Sequence, residues 1–298
     1  VWTYSPRKPP KAPIFGEGEG IFVPSRGLAY TDQFDKKDRS MGFLEHLDAL
    51  RAHLWRSVLV LFVAVIFLFS QKAWVFDEVL LGPKRPDFLT YRWVCSLGEY
   101  WGQGHAWCFD ALPLQLVNLD LTGQLMQHFY VSIVGAVVLI FPYLVWEIWR
   151  FVSPALRDRE FYAARNLIAA VITLFYAGCA FGYFILSPMS ILFLSQYSVS
   201  AEVVNTIALG SYLSTLTMMV LSAGLIFELP VLAYFLGMVG LISAPWMRAN
   251  RRYAIVVNLF IAAALTPSDV GGMLILALPM ILLYEMSIWI VAKSSMRT

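Results

Sequence analysis

The stretch GLIFELPVL, residues 224–232, lies in an apolar run that extends over 211–242, and its reading decides the fold class. Apart from Glu228 and Pro230, every residue in it suits hydrocarbon. A helix needs roughly 20 such residues to cross a bilayer core of about 30 Å. The same test applied outward gives apolar runs at 57–76, 127–149, 167–187, 211–242, 254–266 and 272–292. With 298 residues, 59% hydrophobic and 14% charged, the chain reads as an all-α membrane protein of six transmembrane helices. The run 254–266 rises only about 20 Å as a helix. Either the membrane thins beside it or that helix stands behind others.

Residues 1–40 are rich in Pro, Gly and charge and carry no sustained apolar period, so an extended, disordered N-terminal tail is expected. It has no apolar signal-peptide core, and Met41 opens the patterned part of the chain, 41–298. There Leu44, Leu47, Leu50 and Leu54 recur at three and four residues, with Glu45, Asp48 and Arg51 on the opposite side. This predicts an amphipathic helix at the membrane surface that runs into the first span.

Lys and Arg set the orientation. Arg51, Arg56, Arg150, Arg157, Arg159, Arg165, Arg248, Arg251, Arg252, Lys293 and Arg297 fall on one side, against Lys72, Lys84, Arg85 and Arg92 on the other. Both termini are therefore expected in the cytoplasm, and the long loop 77–126 outside it. That loop holds Cys95 and Cys108, and an oxidising setting permits a bridge. The alternative is two unpaired thiols, and Cα separation decides between them. Cys179, inside the third span, reads as a packing residue.

A net charge of +2 with no basic stripe argues against nucleic acid. No H-E-x-x-H, G-x-S-x-G, C-x-x-C or phosphate-binding glycine loop occurs, and His46, His53, His105 and His128 are scattered as interfacial polar residues. No catalysis, metal or cofactor is expected.

What remains is acidic groups in or beside apolar runs: Glu147, Glu160, Glu228, Asp269 and Glu285. A charge at membrane depth is costly and normally faces the bundle interior or a wet cavity. Glu228 lies near mid-span, whereas Glu147 and Glu285 read as interfacial and Asp269 as a cap for the last helix. In the loop FVSPALRDREFYAAR, residues 151–165, Pro154 ends a helix and Glu160 sits in a basic setting beside the membrane.

FLEHLDALR, YLVWEIWRFVSPALRDRE, GLIFELPVLAYFL, RRYAIVVNLFIAAALTPSDV and LALPMILLYE together resemble the TatC family, the core receptor of the twin-arginine protein translocase, over 41–292. The resemblance implies a cupped six-helix bundle in the inner membrane. Such a protein binds twin-arginine signal peptides of folded cargo and assembles with itself and with single-span subunits of the TatA and TatB type. Export then draws on the proton motive force. Carried over by position, the resemblance puts signal-peptide binding on Glu160, Phe151 and Pro154, with Asp48 and Arg51 from the amino-terminal motif. A second acidic residue of that motif is Ala49 here, and Asp48 or Glu45 supplies the charge. Glu228 becomes a contact for a partner helix or the inserted signal, and Pro83 and Asp269 belong to the outer cap.

The rival reading is a proton-coupled small-solute transporter with Glu228 as proton site. Carriers are usually built from internal repeats, and no second copy of IFELP appears. Gly178 and Gly182 form a G-x-x-x-G that favours close helix packing, and Trp146, Trp149, Trp246 and Trp289 suit interfacial belts.

Overall fold

A computed structural model describes residues 43–102, 108, 115–152, 158–197, 200, 206–266 and 270–295; for 43–47, 49, 152, 158–166, 294 and 295 it describes the backbone alone. Residues 49–298 form one compact unit. Of the unit before it, Val1–Asp48, only the helical start is described. The tail, 1–40, lies outside the described residues.

Helix α1, Phe43–Ser70, contains neither Gly nor Pro, so nothing divides the leucine-striped segment from the first apolar run, and the two are one helix. It ends six residues before the sequence expectation of 76. A π-helical segment, Trp74–Leu80, and a 3-10 turn, Gly82–Lys84, follow. The long loop then forms α2, Leu89–Tyr100. Cys95 on α2 is joined to Cys108 by a disulfide with Cα atoms 4.4 Å apart, and Cys179 is a buried free thiol. Two strands, β1 (Gln115–Val117) and β2 (Thr206–Ala208), pair in parallel with Leu116 opposite Ile207. At three residues each they are too short to leave a period in the sequence.

Helix α3 runs Gly123–Val152. The third apolar run is a composite of α4 (Asp158–Phe181), a π-helical turn (Gly182–Leu186) and α5 (Ser187–Gln196), and so continues beyond the expected 187. The fourth run breaks into α6 (Leu209–Ile226) and α7 (Leu229–Met238), with Pro230 in the first turn of α7. A short α8 (Ala244–Ala249), α9 (Arg251–Leu265) and α10 (Val270–Ser295) complete the chain.

Among the described residues, five helical stretches are long and apolar enough to cross a membrane: Leu50–Ser70, Gly123–Phe151, Leu167–Gln196, Leu209–Met238 and Val270–Lys293. With 15 residues, α9 falls short of them. The wide distribution of exposed side chains such as Leu59, Phe62, Phe260 and Leu282 fits a surface meeting lipid rather than water.

The bundle is knitted at α4 and α6. A Cβ on Gly178 would lie 2.5 Å from Ala223 O, and one on Gly182 would lie 2.8 Å from Val220 Cα. Gly224 answers from α6, where a Cβ would meet Cys179 Sγ at 2.7 Å. Close backbone approach of this kind supplies the van der Waals contact that holds helices together where lipid removes the hydrophobic drive. One buried cluster lies on the α3 side, with Ala136, Leu213 and Leu216. Another lies toward α9 and α10, with Met219, Ala262, Leu276 and Met280.

Gly178→Ala tests this contact by sign. At an open helical site the change stabilises by about 1 kcal/mol, whereas here it forces α4 and α6 apart and should cost about 2 kcal/mol. Thermal unfolding of the detergent-solubilised protein reads the difference, and a raised midpoint would contradict the packing described.

Candidate functional site

A proline within or just beyond a helix lacks an N–H and can strand the carbonyl four residues earlier. In hydrocarbon that carbonyl must find another donor. Pro142, inside α3, strands Val138 O, and the Tyr176 hydroxyl of α4 donates to it at 3.1 Å. Pro188, at the start of α5, strands Phe184 O, which accepts from the Thr90 hydroxyl of α2. Pro83 leaves Val79 O for the Tyr183 hydroxyl at 2.6 Å, and Tyr212 donates to Leu80 O at 2.9 Å.

Tyr91 closes the arrangement. Its hydroxyl lies 2.9 Å from Pro83 O and 3.1 Å from Pro188 O, joining the loop after α1 to the head of α5. Burial raises its pKa above the usual phenol range, so it remains protonated and a donor. The buried Pro83 and Tyr91 thus make a fixed structure at the end of the bundle that carries the disulfide.

Glu228 stands at the break between α6 and α7, where its carbonyl accepts from Val231 N at 3.0 Å and Leu232 N at 2.9 Å. Its side chain is half-buried, and Oε1 is buried with no hydrogen-bond partner among the described residues. Phe227 packs on Phe181 beside it, at 5.7 Å between ring centroids. Oε1 therefore has no donor from the described residues at a helix break in an apolar setting.

Glu147, expected at interfacial depth, lies near the end of α3 and is only 2% exposed, where His53 Nδ1 of α1 donates to its Oε1 at 3.0 Å and Arg56 Nη1 lies 3.8 Å away. The partners are 94 positions apart in sequence, so no local pattern announces them. His53 also meets Phe151 edge-on, with ring centroids 5.9 Å apart. His128, near the start of α3, is buried within the protein and stacked on Phe69 at 3.8 Å. Glu285 pairs with Arg251 at 2.8 Å, and both are exposed.

Of the residues carried over for signal-peptide binding, Asp48 and Arg51 are exposed on α1 and Phe151 is partly buried at the end of α3. The Glu160 backbone lies in the first turn of α4, while its side chain, that of Glu45, and all of Pro154 and Asp269 lie outside the described residues. Sequence reasoning missed Tyr91, Tyr176, Tyr183 and Thr90. For Tyr176, Tyr183 and Thr90 the carbonyls four residues before Pro142, Pro83 and Pro188 were the available signal.

These features define a polytopic helical membrane protein with acidic side chains held in ion pairs and at a helix break along it. Residues 45–279 match the family model of the Sec-independent protein translocase protein (TatC). Over 251 residues the chain is 36% identical to the Sec-independent protein translocase protein TatC of Blattabacterium sp. subsp. Periplaneta americana, covering 84% of this chain and 94% of that protein. The TatC protein of Carboxydothermus hydrogenoformans is 31% identical over 256 residues, covering 85% and 94%. A crystal structure of the twin-arginine translocase receptor TatC superposes with a TM-score of 0.62 at 27% identity, covering 83% of this chain and 97% of that one. The chain belongs to the TatC family, the receptor subunit of the twin-arginine translocase, a component of protein translocation and not an enzyme family.

Tyr91→Phe removes one hydroxyl and leaves Pro83 O and Pro188 O short of a donor. A loss of about 1–3 kcal/mol is expected, read as a lower unfolding midpoint with unchanged membrane insertion. An unaltered midpoint would show that the hydroxyl carries no such role.

Proposed function

We propose that this chain binds the paired arginines of signal peptides on folded cargo at its cytoplasmic face and assembles with itself and with single-span TatA- and TatB-type subunits in the inner membrane. Export is driven by the proton motive force. The chain crosses six times with both termini inside and the bundle cupped, α9 providing the fifth crossing where the bilayer thins to its roughly 22 Å. The first turns of α1 bring the first crossing to the cytoplasmic membrane surface. The distribution of Lys and Arg supports this orientation.

Glu160 receives a guanidinium, with Phe151 and Pro154 shaping the loop and Asp48, Glu45 and Arg51 contributing from α1. A guanidinium suits this task because its planar fork bonds both oxygens of a carboxylate. Glu228 meets a polar group on a partner helix or on the inserted signal, and Pro83 with Asp269 caps the outer end. The observation that carries the intramembrane part is the buried, partnerless Oε1 of Glu228 at the α6–α7 break.

Glu160→Gln should weaken binding of a twin-arginine peptide about tenfold, as expected for loss of one charge-assisted hydrogen bond, while the protein remains inserted; cross-linking to the peptide at wild-type yield would remove Glu160 from the site. Glu228→Ala should change the size of the complex purified with single-span subunits while leaving peptide recognition intact. Unchanged export together with unchanged complex size counts against the role given to Glu228.

A further inference from the structure

Where α1 passes the end of α3, the fold buries a carboxylate without completing its bonds. Glu147 is 2% exposed, and both of its neighbours, His53 at 3.0 Å and Arg56 at 3.8 Å, address the same oxygen, Oε1. Oε2 is buried with no hydrogen-bond partner among the described residues. An ionised carboxylate offers about four acceptor positions, and a site selected for stability alone would fill them or hold an apolar residue.

Arg56 shows how the site is reached. Its side chain is 52% exposed, yet one end of the guanidinium lies over the buried carboxylate. At 3.8 Å it is beyond hydrogen-bonding distance, and it does not make the two-pronged contact that a guanidinium forms on a free carboxylate. A guanidinium on a flexible stem therefore reaches Glu147 from the surface and holds it loosely. His53 links this carboxylate to Phe151 through the edge contact at 5.9 Å.

We propose that Glu147 is a second arginine acceptor of the signal-peptide site and that Arg56 is its resident occupant, displaced when a guanidinium of the cargo arrives. The proposal rests on the twin-arginine reading given above. The incoming group bonds across both oxygens and supplies the donor Oε2 lacks, while Arg56 swings out along its exposed stem. One cation replaces another on one carboxylate, so the exchange leaves no buried charge unpaired. His53 retains Oε1 and with it the position of Phe151. An ammonium bonds as a point charge without the planar fork, so Glu147 contributes to the preference for arginine over lysine.

The test uses the full-length protein in detergent with a fluorescent twin-arginine peptide and its twin-lysine counterpart. Arg56→Ala removes the occupant and should tighten twin-arginine binding severalfold. Glu147→Gln should weaken it about tenfold, the worth of one charge-assisted hydrogen bond, and narrow the gap between arginine and lysine peptides. In the double variant the tightening should vanish. A purely structural ion pair predicts the opposite sign for Arg56→Ala, since removing the cation exposes a buried negative charge. Affinity of Arg56→Ala at or below wild type overturns the proposal, as does wild-type affinity in Glu147→Gln. If Glu147→Gln does not fold, Arg56→Ala decides alone, because alanine at a half-exposed helical position is well tolerated. Where Glu160→Gln weakens binding but Arg56→Ala fails to tighten it, this inference alone falls. A wild-type protein that does not bind the peptide, or one indifferent to Glu160→Gln, ends the twin-arginine reading and this proposal with it.

Discussion

A carbonyl without a donor is tolerable in water and expensive in hydrocarbon, and this fold is arranged around that difference. Helices of unbroken α geometry would satisfy themselves, but the chain places prolines at 83, 142 and 188 within or beside its apolar stretches. At these three positions the freed carbonyl accepts from another element: Val138 O from Tyr176, Phe184 O from Thr90, Val79 O from Tyr183. The donors must come from across the bundle, so satisfying the backbone also fixes which elements lie side by side. Tyr91, bonded to two carbonyls 105 positions apart in sequence, at Pro83 and Pro188, is the clearest instance.

Glycine packing and hydroxyl bonding divide the task between them. Along α4 and α6, the absence of side chains at Gly178, Gly182 and Gly224 lets backbones touch, which is a matter of shape. At the end that carries the disulfide, hydroxyls bridge irregular segments that could not pack as smooth cylinders. Between these regions an apolar hollow of about 300 Å³ remains, with Val75, Val131, Gly135, Tyr176 and Val220 among its walls. Its lining offers almost no hydrogen-bonding groups, so it can hold hydrocarbon and little else.

Much of the architecture was legible because hydropathy is an additive, local property. Runs of apolar residues located the spanning stretches, and the brevity of 254–266 anticipated a helix too short to cross unaided. Ends and breaks were less visible. The first helix stopped at Ser70, not at 76, and the third apolar run continued to Gln196 through a π-helical turn, changes of helix type that hydropathy does not register. The break at Glu228 was better signalled, since Pro230 follows two residues later. Glu147 shows the limit most plainly. Its charge was conspicuous, but its burial depends on His53 and Arg56 from a distant helix, and periodicity within α3 cannot disclose a partner elsewhere.

The aromatic and basic residues at the ends of α3 and α10 carry a mechanical implication. Arg150 lies over Trp146 at 5.6 Å and Lys293 over Trp289 at 5.0 Å, each pair one turn from the end of its helix. Paired rings and cations of this kind prefer the headgroup level and resist being drawn into oil or lifted into water. Two of the long rods are thereby pinned in height, and vertical sliding is the most penalised of their displacements. Rearrangements during a transport cycle are left to tilt, swivel and sideways parting.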